Sequence, residues 1–162
     1  MKFISICLFF KNLSENGVEL WMQERREDGP LDGYLEFPGG KIEPEETPRQ
    51  AALREVQEEL ELSKEETSKI EERIFFFRFY GYEYSDRKVK LHVYLSPEQV
   101  HRPSIGKWHS LSFVSKSEPL SEKILPANGQ IIDDVLDFLA HSSKHLDTDD
   151  AWRLLSQSQN FF

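Results

Sequence analysis

Apolar and aromatic residues occur along this chain in short runs, separated by polar segments rich in turn-forming residues. Runs of this length, rich in β-branched and aromatic residues and bounded by Asn, Asp, Gly or Ser, predict strands. Polar turn segments join the first run to the second and the third to the fourth, which indicates two hairpins. The five predicted strands lie at residues 3–10, 18–24, 74–84, 88–95 and 108–114.

Two capping patterns predict helix starts between the second and third strands. Thr47 suits the N-cap, Pro48 the first helical position and Gln50 the return half of a capping box. We therefore predict a helix over about 48–60. The sequence Ser-Lys-Glu-Glu at 63–66 resembles a second capping box, so a short charged helix should follow.

A third helix is predicted at about residues 129–140, followed by a polar tail. The chain length of 162 residues suits one domain with one core. We place that domain at 1–140 and expect 141–162 to form an appended helix or a loosely held tail. The third helix is apolar along one broad face, formed by Ile131, Ile132, Val135, Leu136, Phe138 and Leu139.

The composition is typical of a soluble globular protein, with 38% apolar and 30% charged residues and a net charge of −9. This acidic balance argues against a nucleic-acid polymer as partner, because binding the phosphate backbone needs clustered Lys and Arg. A small phosphorylated ligand carried in with a divalent cation remains compatible. The single cysteine, Cys7, lies in an apolar strand, so we expect a buried thiol in a cytoplasmic protein. We expect no membrane span, because no apolar run is long enough.

Three glutamates of the first predicted helix share one face. Glu55, Glu58 and Glu59 stand at helical spacings of three and four residues. Their carboxylates repel one another unless a cation offsets them, and a hard divalent ion such as Mg²⁺ or Mn²⁺ prefers oxygen ligands. The alternative is a solvated acidic face. The adjacent stripe that would dock the helix on a sheet is apolar and contains Ala52, Val56 and Leu60.

The segment around these glutamates resembles the Nudix box, Gly-x5-Glu-x7-Arg-Glu-U-x-Glu-Glu-x-Gly-U, where U is aliphatic. The match begins at Gly40 and Glu46 and continues through residues 54–62, with one exception, Glu61 in place of the last glycine. Further segments resemble the MutT branch of this family, and they lie at residues 35–43, 82–87, 106–108 and 126–128. The resemblance implies an α/β fold, an α/β/α sandwich around a central mixed sheet.

The resemblance also implies a metal site. Its ligands would be Glu55, Glu58 and Glu59 with the backbone carbonyl of Gly39. The cofactor would be Mg²⁺, or Mn²⁺, with two or more ions when substrate is bound. Arg54 would orient the glutamates by salt bridging, and Glu46 would fix the preceding loop.

By the same resemblance, Asn128 would hydrogen-bond a purine base, and Phe37 would form a wall of the base pocket. Each has a structural alternative: Asn128 suits the N-cap of the last helix, and an aromatic residue beside a Pro-Gly-Gly turn is by default part of the core. Arg87 is either a substrate contact or an exposed turn arginine. The remaining substrate-binding candidates are Arg25, Glu36 and Lys41.

The chain departs from the MutT pattern at two places. The loop over 96–106 is short, so the family's further glutamate has no clear match. Glu98 is our candidate for the general base, with Glu58 as the alternative. Glu61 replaces a glycine that leaves the helix in a left-handed conformation, which costs a residue with a Cβ atom about 1 kcal/mol. We therefore expect a different exit, in which the helix continues or turns directly into 63–73.

The function implied is metal-dependent hydrolysis of a nucleoside triphosphate of the dGTP or 8-oxo-dGTP type, by attack of an activated water on phosphorus. The products would be a nucleoside monophosphate and pyrophosphate. One alternative is a hydrolase of another nucleoside diphosphate derivative, such as a nucleotide sugar, a dinucleotide or capped RNA. A second is a non-catalytic nucleotide sensor, a class that usually loses box glutamates.

Overall fold

The structure is a computed structural model in which residues 1–98 and 106–142 are described. Within these ranges the chain forms seven strands, three α-helices and a short 3₁₀ turn. In chain order the elements are β1 (Lys2–Lys11), β2 (Gly17–Glu24), β3 (Leu35–Glu36), β4 (Gly39–Lys41), α1 (Pro48–Glu59), α2 (Lys64–Glu71), β5 (Phe75–Glu83), β6 (Lys88–Pro97), β7 (Gly106–Ser112), the 3₁₀ turn (Glu118–Leu120) and α3 (Pro126–Ser142).

All five predicted strands and all three predicted helices are confirmed, with ends that differ by a few residues. The short strands β3 and β4 were missed by the sequence analysis, because their pairing partners lie elsewhere in the chain. Both predicted capping boxes are present, at Thr47 with Gln50 and at Ser63 with Glu66. The predicted extension begins at 141, but residues 141 and 142 belong to α3, and 143–162 lie outside the described residues.

The strands form one mixed sheet in the order β3-β2-β1-β6-β5, with β4 also paired to β1 and β7 to β2. The pair of β1 and β6 is parallel, and the other pairs are antiparallel. β1 pairs with β2 next to their hairpin, at Phe10 and Lys11. Farther along, β4 takes the edge of β1 and β3 takes the edge of β2. The segment 35–41 therefore enters the sheet between two strands that separate.

The sheet has an apolar cluster on each face, and the alternation of side chains along β1 divides them. Leu8 and Phe10 pack on the face covered by α3, whereas Cys7 and Phe9 pack on the face covered by α1 and α2. The predicted α/β/α sandwich is thus confirmed. No helix of the described residues is long and apolar enough to cross a membrane.

α1 is fixed to the sheet at its first turn and along its apolar stripe. The Ser5 hydroxyl donates to the Pro48 carbonyl at 2.7 Å. Ala52 and Val56 are fully buried against the sheet. The helix therefore presents its glutamates beside β4, on the flank that the apolar stripe leaves free.

The expected exit from α1 is wrong, because Glu61 adopts the left-handed conformation, with φ at 51°. The Leu62 amide donates to the Gln57 carbonyl at 3.0 Å, and the Glu61 amide donates to Glu58 at 3.4 Å. These two bonds define a Schellman motif, the usual helix end at a glycine. The turn buries Leu62 in the cluster beneath α1 and α2, and this burial offsets the backbone strain at Glu61.

Replacing Glu61 with glycine should stabilise the protein. Glycine adopts the left-handed conformation without a Cβ penalty, so we expect Glu61→Gly to raise the free energy of unfolding by about 1 kcal/mol. The measurement is urea unfolding monitored by circular dichroism. Glu72→Gly is the control, because Glu72 caps α2 at φ −70° and gains nothing from glycine. Equal stability of the two variants would contradict the interpretation.

Candidate active site

Arg54 connects the loop before α1 to the glutamates of the helix. Its Nη2 and Nε atoms lie 2.7 and 3.1 Å from the two carboxylate oxygens of Glu46. Its Nη1 atom donates to Glu55 at 2.9 Å and lies 3.5 Å from a Glu58 oxygen. Nη2 also donates to the Lys41 carbonyl at 2.9 Å. The two hydrogen bonds from Arg54 to the Glu46 carboxylate fix the loop against the helix.

The charges in this network stabilise each other. The hydrogen bond to Glu46, followed by the bond to Glu55, raises the pKa of Arg54 above its ordinary value. The same bond from Arg54 is the main cause of the lowered pKa of Glu46. Both groups are therefore charged at neutral pH, and the Arg54–Glu46 pair is a permanent part of the site.

Glu59 has the opposite electrostatic environment. Its Oε2 atom accepts the Gly39 amide at 2.9 Å and lies 3.4 Å from the Gln23 side-chain nitrogen. Burial raises the pKa of Glu59 to about 7, and the charges of Glu55 and Glu36 add to the shift, although the two hydrogen bonds oppose it. A nearby cation would favour the charged carboxylate.

Gly39 and Gly40 let the chain pass closely beneath the glutamates. A Cβ atom on Gly39 would lie 2.3 Å from the Ser5 carbonyl oxygen, and one on Gly40 would lie 2.4 Å from the Glu55 carboxyl group. Neither contact is sterically possible without movement. The two glycines therefore create the space in which β4 and the carboxylates meet.

The donor set fits a hard divalent cation. Its three candidate side chains offer carboxylate oxygens, and the buried Oε1 atom of Gln23 beside them has no hydrogen-bond partner among the described residues. Within residues 1–98 and 106–142, however, no three acidic, histidine or cysteine side chains form a cluster that could hold an ion. Glu55 is bonded to Arg54, Glu59 to Gly39, and Glu58 is exposed. Glu55 and Glu59 each have only one oxygen engaged in these bonds, so ion binding would require the exposed Glu58 to turn toward them.

A cavity of about 290 Å³ adjoins this glutamate site. It lies against the N-terminal half of β1 and the first turn of α3. Arg25 and Glu36 face each other across 3.5 Å at its wall, and burial raises the pKa of Glu36 while the Arg25 charge opposes that rise. The cavity wall contains most of the predicted site residues outside α1, namely Arg25, Glu36, Phe37, Gly39, Arg87 and Asn128.

Asn128 is the third residue of α3, which begins at Pro126, so its position does not suit the N-cap alternative. Phe37 is 6% exposed and belongs to both the core and the cavity wall. Arg87 lies 5.5 Å from the centre of the Tyr84 ring. Tyr84 was not predicted, although it directly follows β5 and precedes the turn that carries Arg87.

Two predicted residues do not line the cavity. The side chain of Lys41 is exposed and is not part of the cavity wall. Glu98 follows Pro97, which pairs with Phe10, whereas Gly39 pairs with Ile6. These positions are about 13 Å apart along β1 at 3.3 Å per residue. The structure therefore does not support Glu98 as the base beside the glutamates of α1.

Two polar side chains that support the site were also missed. Gln23 lies near the end of β2 and is 7% exposed although its side chain is polar, so nothing in the sequence signalled it. The hydroxyl of Tyr82 donates to the Ala127 carbonyl at 3.2 Å and so fixes the first turn of α3 next to Asn128. Strand alternation alone could have placed Tyr82 on this face, but it gives no partner.

Comparison with known proteins identifies the class. Residues 4–137 match the NUDIX domain, and the chain belongs to this family. Among individual proteins, it is 33% identical over 117 residues to the 8-oxo-dGTP diphosphatase of Escherichia coli (strain K12). That match covers 65% of this chain and 85% of the relative.

Solved structures confirm the fold. Shewanella oneidensis NrtR is similar with a TM-score of 0.66 and 14% identity, over 98% of this chain and 79% of that protein. The binary complex of a C. elegans Ap4A hydrolase is similar with a TM-score of 0.59 and 16% identity, over 87% of this chain and 99% of that protein. At these identities the similarity establishes the shared architecture.

The raised pKa of Glu59 predicts that the metal-free protein loses stability as the pH rises. The pKa is about 7 in the folded protein and near its ordinary 4.5 in the unfolded chain, so the folded state holds this proton more tightly. The stabilisation is complete below about pH 4.5 and is lost as the pH rises through 7. We expect Glu59→Gln, which stays neutral, to gain stability over the wild type between pH 5 and pH 8 in EDTA, measured by urea unfolding.

Glu58→Gln is the matched control, because the Glu58 side chain is 62% exposed and lacks this burial. The stability of the Glu58→Gln variant relative to the wild type should change less between pH 5 and pH 8 than that of the Glu59→Gln variant. A difference between Glu59→Gln and the wild type that is the same at both pH values would contradict the prediction.

Proposed function

We propose that this protein hydrolyses nucleoside triphosphates of the dGTP or 8-oxo-dGTP type to a nucleoside monophosphate and pyrophosphate. The observation that carries this proposal is the cavity formed by Phe37, Arg25 and Asn128, which reaches Gly39, whose amide binds Glu59. The similarity to the E. coli 8-oxo-dGTP diphosphatase supports the same class of substrate.

The cavity has the chemistry expected of a nucleoside site. Its volume of about 290 Å³ lies at the lower end of the range for small-molecule pockets. Phe37 and the apolar residues of β1 and β6 suit a flat base, and the Asn128 amide has the donor and acceptor needed for a purine edge. Arg25 at the same wall suits a phosphate group. The triphosphate would extend from the cavity toward the glutamates of α1.

Glu55, Glu58 and Glu59 would hold Mg²⁺ or Mn²⁺, which when bound screens the phosphate charges and acidifies the attacking water. Arg54, fixed by Glu46, holds Glu55 in place and offsets the charge of the cluster. The Gly39 amide fixes one oxygen of Glu59. We assign the general base to Glu58 rather than to Glu98.

By analogy with the MutT branch, water adds to the β-phosphorus and gives its proton to the base. The bond from this phosphorus to the oxygen that bridges to the α-phosphate breaks, and the monophosphate leaves with that oxygen. The attacking water ends in pyrophosphate. Arg25 would stabilise the charge that moves onto the leaving phosphate.

The proposal is tested by chromatography of the products formed with Mg²⁺. The substrates are 8-oxo-dGTP, dGTP and the other common triphosphates, which should give a monophosphate and pyrophosphate, and a nucleotide sugar, a dinucleotide and capped RNA, each followed by loss of the intact compound. We expect the highest kcat/KM for a purine deoxynucleoside triphosphate. Comparable or greater activity on the nucleotide sugar, the dinucleotide or capped RNA would show that the proposed substrate class is wrong and that the preferred compound defines it. Absence of turnover on every compound would favour a nucleotide sensor.

Glu59→Gln should reduce kcat by at least about 100-fold, because loss of a metal ligand removes several kcal/mol of transition-state stabilisation. The circular dichroism spectrum should be unchanged. Glu61→Gln is the control, since Glu61 belongs to the same box but lies outside the proposed ligands, and it should retain near-normal turnover. Near-normal turnover of Glu59→Gln would refute the assignment of this carboxylate.

Asn128→Ala should raise KM for purine triphosphates about fivefold, because one hydrogen bond to the base contributes about 1 kcal/mol. We expect pyrimidine triphosphates to be affected less, so the preference for purines should fall. Gln130→Ala is the control, because Gln130 is an exposed amide in the same turn of α3. Equal changes in KM for purines and pyrimidines would show that Asn128 does not read the base.

A further inference from the structure

Gln23 is an unusual residue for its position in the fold. It lies in β2 on the face covered by α1 and is 7% exposed. The other buried polar residues of the described chain are serines, namely Ser5, Ser96 and Ser142. A long amide side chain in this environment needs hydrogen bonds to offset the loss of water.

The protein gives Gln23 little compensation for this burial. Its Nε2 atom lies 3.4 Å from Oε2 of Glu59, and its Oε1 atom has no partner among the described residues. Gly106, the residue directly opposite in β7, has no side chain to offer. An apolar side chain of the same length would avoid the unpaired oxygen. Packing alone therefore does not explain a glutamine here.

The contact with Glu59 suggests the reason. The Gln23 side chain and the Gly39 amide both point their N–H groups at the same oxygen, Oε2, at 3.4 and 2.9 Å. They approach from different elements, β2 and β4, so together they restrict both the position and the rotation of the carboxylate. Oε1 of Glu59 is left as the oxygen available to a ligand outside the protein.

We propose that Gln23 is a positioning residue for Glu59, which holds Oε2 so that Oε1 is presented to a divalent ion. The inference rests on the proposed metal-dependent function, and it adds a residue from outside the glutamate helix and its loop. Hydrogen-bonding partners of metal ligands commonly change metal affinity or activity by about 10- to 100-fold.

The test is a titration with Mn²⁺ in the absence of nucleotide, in which binding is detected by electron paramagnetic resonance. We expect Gln23→Met, which keeps the length of the side chain without its hydrogen bonds, to weaken Mn²⁺ binding about tenfold or more. Gln23→Asn should weaken it similarly, because its amide ends about 1.5 Å short of the present position. Gln57→Met, the same change at a glutamine of α1 whose side chain makes no hydrogen bond in the described structure, should bind Mn²⁺ normally.

A double-mutant cycle with Glu59→Gln separates this role from simple packing. If Gln23 acts through Glu59, Gln23→Met should change Mn²⁺ affinity by no more than about twofold once Glu59 is already replaced. An undiminished tenfold effect in that background, or normal Mn²⁺ binding by both Gln23 variants, would overturn the inference. In these two cases the proposed function would stand if Glu59→Gln alone weakens binding.

Normal Mn²⁺ binding by Glu59→Gln would instead overturn both the ligand assignment and the role of Gln23. The melting temperature in EDTA, measured for every variant, shows which proteins are folded. A packing defect would lower this temperature without producing coupling to Glu59.

Discussion

The backbone at Gly39 lies so close to β1 that this residue has no room for a Cβ atom, and a Cβ atom on Gly40 would displace the Glu55 carboxyl group. The rest of the site depends on this close approach. It lets the segment 35–41 enter between β1 and β2, and it brings the Gly39 amide to Glu59. It also places Phe37 in the cavity wall, on the other side of the same segment. Helix α1 and the cavity are thus joined by a few residues of extended chain.

Glu46 and Glu59 have opposite electrostatic environments. Glu46 shares hydrogen bonds with Arg54, and its pKa is lowered. Glu59, five residues after Arg54 and partly buried, has a pKa raised to about 7. Glu46 therefore keeps its charge and fixes the loop, whereas the charged form of Glu59 would be favoured by a cation. The protein offsets the charge of Glu46 with its own arginine, whereas within the described residues Glu59 is bonded only to the Gly39 amide and the Gln23 side chain.

The sequence predicted those features that local chemistry determines. Capping boxes, hairpins and the amphipathic α3 follow from neighbouring residues, and the box motif identified the glutamates and the arginine. Strands β3 and β4 were missed because their hydrogen bonds depend on β2 and β1. Glu61 was wrongly assigned another conformation, because the burial of Leu62 decides the turn. The burial of Gln23 and the distance of Glu98 from the glutamates of α1 follow from strand register, which the sequence does not specify.

Cys7, the single cysteine of the chain, lies at the centre of the sheet. It is fully buried in β1 between the parallel strand β6 and the segment that leads into β4, and burial raises the pKa of its thiol. The thiolate that reacts with labelling reagents is therefore scarce while the sheet is intact. Opening of β1 exposes the sulfur. The rate at which a reagent labels Cys7 therefore reports how often this strand, which joins both halves of the site, opens.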